Sequence, residues 1–533
     1  MDCRALLPHQ LPHTSRLFRD YVENFSKLKS FFEHSPDLKS VARYSKKLKF
    51  PADRRAQVVG ILRAQNLLYG SGPETERNLD RFANGAVAVV SGQQVGLFGG
   101  PAYAFYKALT AIQAAHELSQ KGIPAVPVFW MATEDHDVDE VRHVTWFHEG
   151  TLQRFELPKP NEDAVPVGRI PLGKEIDELV TRAQPLLGQT FGDFLHETYI
   201  PAATYGSAFA GLFARIFQEH GLVLLDPLDE RLHTIAAPLL KAALVHRDEL
   251  NSLLLDRGKD LEHAGYDVQV KVASQSTVLF SMEEGKRQVI SATSSDFSSG
   301  SLTMPRENWL RRLEASPDKL SPNALFRPVV QDFLLPTVAY FGGPAEIAYY
   351  AQSEVLYKKL LGRMPVILPR ADFTLVDPKA ERILKKYHLA VEDVWRGSQS
   401  LRNRMYNSAI PKKLSGEFDG NLRQIEKSIR KLHKAIAKVD PTIQGTIARA
   451  EKRIRYQLEK LRHKTGAALD RHEKLIAKHE AFLENLLFPQ KGLQSRDLCF
   501  LPFLARWGSG GLNELQTLAS PKKPGRHLIV PIP

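Results

Sequence analysis

The chain has 533 residues, 43% of them hydrophobic and 25% charged, with a net charge of +12. This length exceeds what one hydrophobic core supports and predicts two or three structural units, while the balance excludes disorder, a collagen-like chain and a disulfide scaffold. Cys3 and Cys499 are the only cysteines and cannot build a disulfide framework, the N-terminal residues lack a signal-peptide core, and no apolar run approaches the roughly 18 residues that span a bilayer, so a cytoplasmic protein without membrane contact is expected.

In chain order, apolar residues at Leu17, Tyr21, Phe25, Leu28 and Phe32 predict a helix from Leu17 to about Phe32. Ala86 to Val90 is a short continuous apolar run between Gly85 and Gly92, which suits a buried parallel strand. A helix from about Pro101 to Gln120 and a second apolar strand, Ala125 to Met131, complete a strand-helix-strand unit. Val144 to Val167 reads as a β excursion, Gly221 to Leu225 as a further buried strand, and Asp267 to Ile290 as a hairpin turning at Glu284 and Gly285.

The core pattern resumes at Thr337 to Tyr340, where Phe98-Gly-Gly-Pro-Ala102 recurs as Phe341-Gly-Gly-Pro-Ala345. Each copy leads into a helix and then a proline-flanked strand, and Asp135 and Asp372 sit at the strand exits. Beyond Leu422, apolar residues alternate at three and four through Val439, break at Asp440 and Pro441, and restart at Ile443 as far as Leu486. That is a coiled-coil hairpin with one arm more than twice the other, so the longer arm is expected to find a second protomer. Residues 411–491 hold 19 Lys and Arg against 10 Asp and Glu, most of the excess charge, yet no aromatics interleave to stack bases, so a solvated helix surface is expected rather than nucleic-acid binding.

Three stretches could carry chemistry. Ser91 to Pro101 joins a buried strand to a helix start, the edge of a parallel sheet where ligands bind. Unpaired N–H groups at the helix start would favour phosphate or carboxylate, helped by Ser91, Gln93 and Gln94, although a tight turn that only satisfies its own backbone has the same pattern. Thr133 to Glu140 gathers Glu134, Asp135, His136 and Asp137 beyond a strand, as a general base or as an ordinary helix cap. No second distant ligand is legible, so no metal site is assigned. Glu346, Arg370 and Lys107 complete the set, Arg370 as a fork for a substrate carboxylate and Lys107 from within the first helix, each with a plain surface role as the alternative.

The segments SGQQVGLFGGPAYAFYKALTAI, PVFWMATEDHDVDEV, PTVAYFGGPAEIAYYAQ, PRADFTLVD and LLFPQKGLQSRDLCFLPFL, in that order over almost the whole chain, resemble the BshC family, the cysteine-adding enzymes of bacillithiol biosynthesis. The resemblance implies a Rossmann-like α/β core with connecting insertions (1–385, insertions near 142–220 and 258–320), an antiparallel coiled-coil domain (386–490) that supports a homodimer, and a C-terminal return (491–533). It implies a ligase that joins L-cysteine to the amine of glucosaminyl malate; forming an amide from a carboxylate requires activation, commonly by ATP, so ATP with Mg²⁺ is the expected cofactor. On this sequence the catalytic set is Asp135, His136 and Asp137. The substrate or phosphate set is Ser91, Gly92, Gln93, Gln94, Gly99, Gly100, Tyr103, Lys107, Gly342, Gly343, Glu346 and Arg370, with the two Gly-Gly-Pro helix starts lining one pocket. The first helix lacks the HIGH-type motif of adenylate-forming enzymes with a related core, so nucleotide binding near Gln494 to Phe503 is an alternative. A non-catalytic scaffold or nucleic-acid binder and a nucleotidyl or phosphoryl transfer enzyme are the competing classes.

Overall fold

The computed structural model describes residues 3–160, 164–293, 296–438, 444–470 and 474–533. The expected unit is present as strand β1 (Val87–Gln93), helix α1 (Ala102–Gln120) and strand β2 (Ala125–Met131). Strand β3 (Val223–Leu225) follows the first insertion, and helices α2 (Glu230–Val245) and α3 (Arg247–His263) lead into the second. Strand β4 (Thr337–Gly342), helix α4 (Pro344–Leu360) and strand β5 (Val366–Pro369) complete the core.

These five strands pair in parallel in the order β5-β4-β1-β2-β3. From β1 the chain winds outward through β2 to β3, then returns to lay β4 on the other edge of β1. The winding direction therefore reverses between β1 and β4, the place where an open α/β sheet leaves a crevice at its carboxyl ends. Alternation along β2 shows why it reads as continuously apolar: Val126, Val128 and Trp130 enter the core that holds Ile347 and Tyr350 of α4, while Phe129 enters the one that holds Phe105 and Leu109 of α1.

The first insertion contains the hairpin His143–His148 and Thr151–Glu156, and the second an antiparallel five-stranded sheet. The hairpin turn falls at Glu284 and Gly285 as expected, both with positive φ, but its first strand starts at Ser276 rather than Asp267. The early helix is shorter than its periodicity predicts. It spans Arg16–Glu23 and ends where Asn24 leaves helical geometry at φ −149°; Leu28 and Phe32 are buried from a 3-10 turn and the segment after it.

The helical region after the core includes α5 (Ser398–Ala409), α6 (Lys412–Ile436), α7 (Gln444–Asp470) and α8 (Leu475–Leu487). Arg462 bonds Asp419 at 2.8 Å and Arg455 pairs with Glu426, which sets α6 and α7 antiparallel. The expected inequality of the arms is corrected here, because α6 has 25 residues and α7 has 27. The rest of the periodic run belongs to α8, and α5 covers both: a Cβ on Gly466 of α7 would lie 2.5 Å from the Tyr406 carbonyl oxygen, and Arg402 pairs with Glu480 of α8 at 2.7 Å. The turn at Asp440 and Pro441, with Val439 and Ile443, lies outside the described residues. Strand His527–Pro531 returns to the core, pairing in parallel with Asp372–Val376 and antiparallel with Arg4–Leu6. Among the described residues no helix is long and apolar enough to cross a membrane.

Candidate active site

A cavity of about 660 Å³ opens at the carboxyl ends of β1, β2 and β4, beside the reversal point. Its floor begins at Gly92, whose missing side chain is a steric necessity: a Cβ there would stand 2.5 Å from the Trp130 carbonyl oxygen on β2. Gln93 follows, donating from Nε2 to the Tyr103 hydroxyl at 3.1 Å. Burial pushes the Tyr103 phenol up to about 12, so it keeps its proton.

Lys107 reaches the floor from α1 with a side chain only 3% exposed. Its Nζ donates to the Gly92 carbonyl at 2.7 Å and to Gln93 Oε1 at 2.8 Å, and pairs with Glu346 Oε2 at 2.5 Å. Burial pulls the amine down to about 8, against the carboxylate that holds it up. Glu346 also accepts from the Tyr340 hydroxyl at 2.5 Å and from the Gly343 N–H at 2.7 Å. Burial pushes its carboxyl up, and Lys107 with these donors outweighs that and holds it below the ordinary value.

Arg370 enters beyond β5. Its Nη1 donates to Asp372 Oδ1 at 2.7 Å, Asp372 Oδ2 lies 3.0 Å from His527 Nδ1, and the buried Nε has no hydrogen-bond partner among the described residues. Burial pushes Asp372 up, but Arg370 and His527 hold it far below the usual carboxylate range.

The acidic exit of β2 forms the opposite wall. Asp135 is occupied by the turn itself: Gln94 Nε2 donates to Oδ2 at 2.7 Å, and the N–H groups of His136 and Asp137 donate to Oδ1 at 2.7 and 3.3 Å. His136 is half-buried beside Arg287, and burial and that cation lower its pKa. Asp137 does not line the cavity.

Of the residues read from the sequence, Gly92, Gln93, Gln94, Tyr103, Lys107, Asp135, His136, Gly343, Glu346 and Arg370 line this one cavity. Ser91, Gly99, Gly100 and Gly342 do not. Ser91 is fully buried and donates to the Phe341 carbonyl, tying β1 to β4. Gly342 ends β4, where it accepts from the Arg370 N–H. The segment through Gly99 and Gly100 leads away because Phe98 anchors it among Trp146, Phe155 and Tyr199.

The internal echo is therefore offset in space. β4 pairs Tyr340 with Val90, which puts Gly342 and Gly343 level with Gly92 and Gln93, not with Gly99 and Gly100. One N–H at each helix start is already taken: the Leu498 carbonyl accepts from the Ala102 N–H at 2.8 Å, and Glu346 from that of Gly343.

Several lining residues were not found from the sequence. Arg247 and Asn251 come from α3, Arg287 from the second insertion, Arg327 from the helix before β4, and Arg496 from the C-terminal return. Arg327 had a signal, since a lone cation inside the apolar run Leu325 to Val330 is costly to bury unpaired. It donates to the Tyr349 hydroxyl at 3.0 Å. In all, seven Lys and Arg line the cavity against four Asp and Glu, a balance that suits substrates carrying carboxylates or phosphates.

Residues 1–371 match the family model described as Bacillithiol biosynthesis BshC, N-terminal Rossmann-like domain, and residues 373–532 match that described as Bacillithiol biosynthesis BshC, C-terminal coiled-coil domain. A protein of Koribacter versatilis named "Putative cysteine ligase BshC" is 41% identical over 509 residues, covering 95% of each chain. Proteins of the same name from Solibacter usitatus and Geobacillus kaustophilus are 36% and 28% identical, covering 95% and 98% of this chain and 96% and 98% of their own.

Proposed function

This chain belongs to the BshC family of bacillithiol biosynthesis, and from that membership we propose that it is a ligase joining the carboxyl of L-cysteine to the glucosamine amine of glucosaminyl malate, with ATP activating the carboxyl. The observation that carries this reading is the cationic cavity at the β1–β4 reversal, where a surplus of Lys and Arg meets substrates that are all anionic at one end. With one N–H at each helix start already taken by a protein acceptor, side chains supply the cationic contacts for the anions: Arg370, Arg327, and Arg496 at the rim. Lys107 is committed to Glu346 and shapes the floor.

Among the described residues no three His, Cys, Asp or Glu side chains gather to hold a metal. Mg²⁺ would arrive on the nucleotide phosphates, its ordinary mode, and Glu140 is the lining carboxylate that could meet it. Amide formation also needs an acceptor for the amine proton. The β2 exit provides the place, with Asp135 and Asp137 shaping the turn and Glu134 and His136 facing the cavity. The hairpin is proposed as a self-association surface, supported by Leu432, Ile454 and Leu461 at 59%, 40% and 55% exposure.

Incubating the purified protein with L-cysteine, glucosaminyl malate and ATP tests the reading. Mass spectrometry should find the condensed amide only when all three are present. ATP turnover that ignores cysteine, or no product at all, would overturn it.

A further inference from the structure

Glu134 and His233 form a buried pair that no motif announced. His233 sits on α2 with its side chain 8% exposed, and Glu134, 9% exposed, sits on the β2 exit and lines the cavity. His233 Nδ1 lies 3.0 Å from the Leu320 carbonyl oxygen. A carbonyl only accepts, so that nitrogen carries a hydrogen. The other ring nitrogen, Nε2, lies 3.2 Å from Glu134 Oε1, and a contact between two acceptors at this range requires one proton between them. That shared proton ties the ring to the carboxylate. Consistently, burial pulls the imidazole down, but Glu134 outweighs it and leaves the ring above its usual value.

The surroundings keep the proton there. Asp318 faces the imidazole, Arg287 and Asp135 face the carboxylate side, and Asp226, pushed up by burial, stands behind Thr133. Glu134 lines the cavity, and His233 is the cation its carboxylate is paired with among the described residues. In a cavity dominated by cations, it is a carboxylate placed to meet a positively charged group of a substrate.

Resting on the ligase reading above, the geometry points to Glu134 as the group that receives the substrate's primary amine and takes its proton, with His233 as the positioning residue behind it. The amine nitrogen attacks the activated cysteine carbonyl, the C–N bond forms, the C–O bond to the phosphate leaving group breaks with its electron pair on that oxygen, and the amine proton passes to Glu134 Oε2.

Two measurements test this. In nitrogen-15 histidine spectra the wild-type His233 ring should be protonated on both nitrogens at neutral pH, and in Glu134→Gln, whose amide can donate to Nε2, only on Nδ1. In the ligation assay Glu134→Gln should lose about 100-fold or more in kcat and lose the acid limb of the pH profile. His233→Gln keeps a hydrogen-bond donor but no charge, and should move that limb upward by about one pH unit or more. Both variants should remain folded, each with a single cooperative melting transition. A limb that persists in Glu134→Gln and vanishes in His136→Gln, or an unprotonated Nε2 in the wild type, overturns the inference while leaving the ligase reading intact. A wild-type protein that ligates nothing overturns the ligase reading, and the inference with it.

Discussion

Lys107 shows how the site charges its own floor. The amine is almost wholly buried, and what keeps it there is a carboxylate with every oxygen contact filled. Removing one member leaves the other charge buried and uncompensated, so Lys107→Met should cost about 3–5 kcal/mol in urea unfolding, and the double variant Lys107→Met/Glu346→Gln should recover part of it. Equal losses in the single and double variants would contradict the pairing.

Asp372 makes a prediction in pH. Its carboxyl is held far below the ordinary range by Arg370 and His527, against burial, so the folded chain favours the ionised form more than the unfolded chain does. The stabilisation is complete above the ordinary Asp value of about 4 and fades as the pH falls below it. The stability gap between wild type and Asp372→Asn should therefore be full at neutral pH and shrink in acid; a gap that ignores pH would contradict the account.

Gly92 belongs at the same scale. Ala there meets the Trp130 carbonyl and should destabilise by about 1–3 kcal/mol, read as a fall in melting temperature.

At the scale of elements, the strands and the two core helices were legible because burial on both faces writes continuous apolar runs and because Gly and Pro punctuate them. The hairpin was legible as periodicity but not as geometry. Heptad spacing passes without a mark from α7 to α8, so the arms looked unequal, and the partner of the longer run proved to be α5 of the same chain. The self-association proposed for the hairpin would then use its outer faces. Replacing Leu432 and Leu461 by Glu should convert a dimer to a monomer in sedimentation while the melting temperature of the core holds; a wild type already monomeric would refute the surface.

For the whole molecule, the site was half legible. Residues on β1, α1, α4 and the β2 exit carried motif and location together, so Gln93, Gln94, Lys107, Asp135 and Glu346 could be named in advance. Ser91 and the Gly99-Gly100 pair share those motifs but serve strand pairing and the anchoring of Phe98, a distinction that needs the register of β1 against β4. Arg287, Arg327, Arg496 and His233 reach the site from separate elements through tertiary packing alone, and sequence spacing holds no record of that.

The central claim is that cysteine is joined through an activated carboxyl in this cavity, and cysteine labelled with heavy oxygen in its carboxylate tests it most directly. With glucosaminyl malate and ATP, the account predicts one labelled oxygen transferred to the phosphate or AMP released, in step with the amide formed. Amide without labelled phosphate or AMP would contradict it.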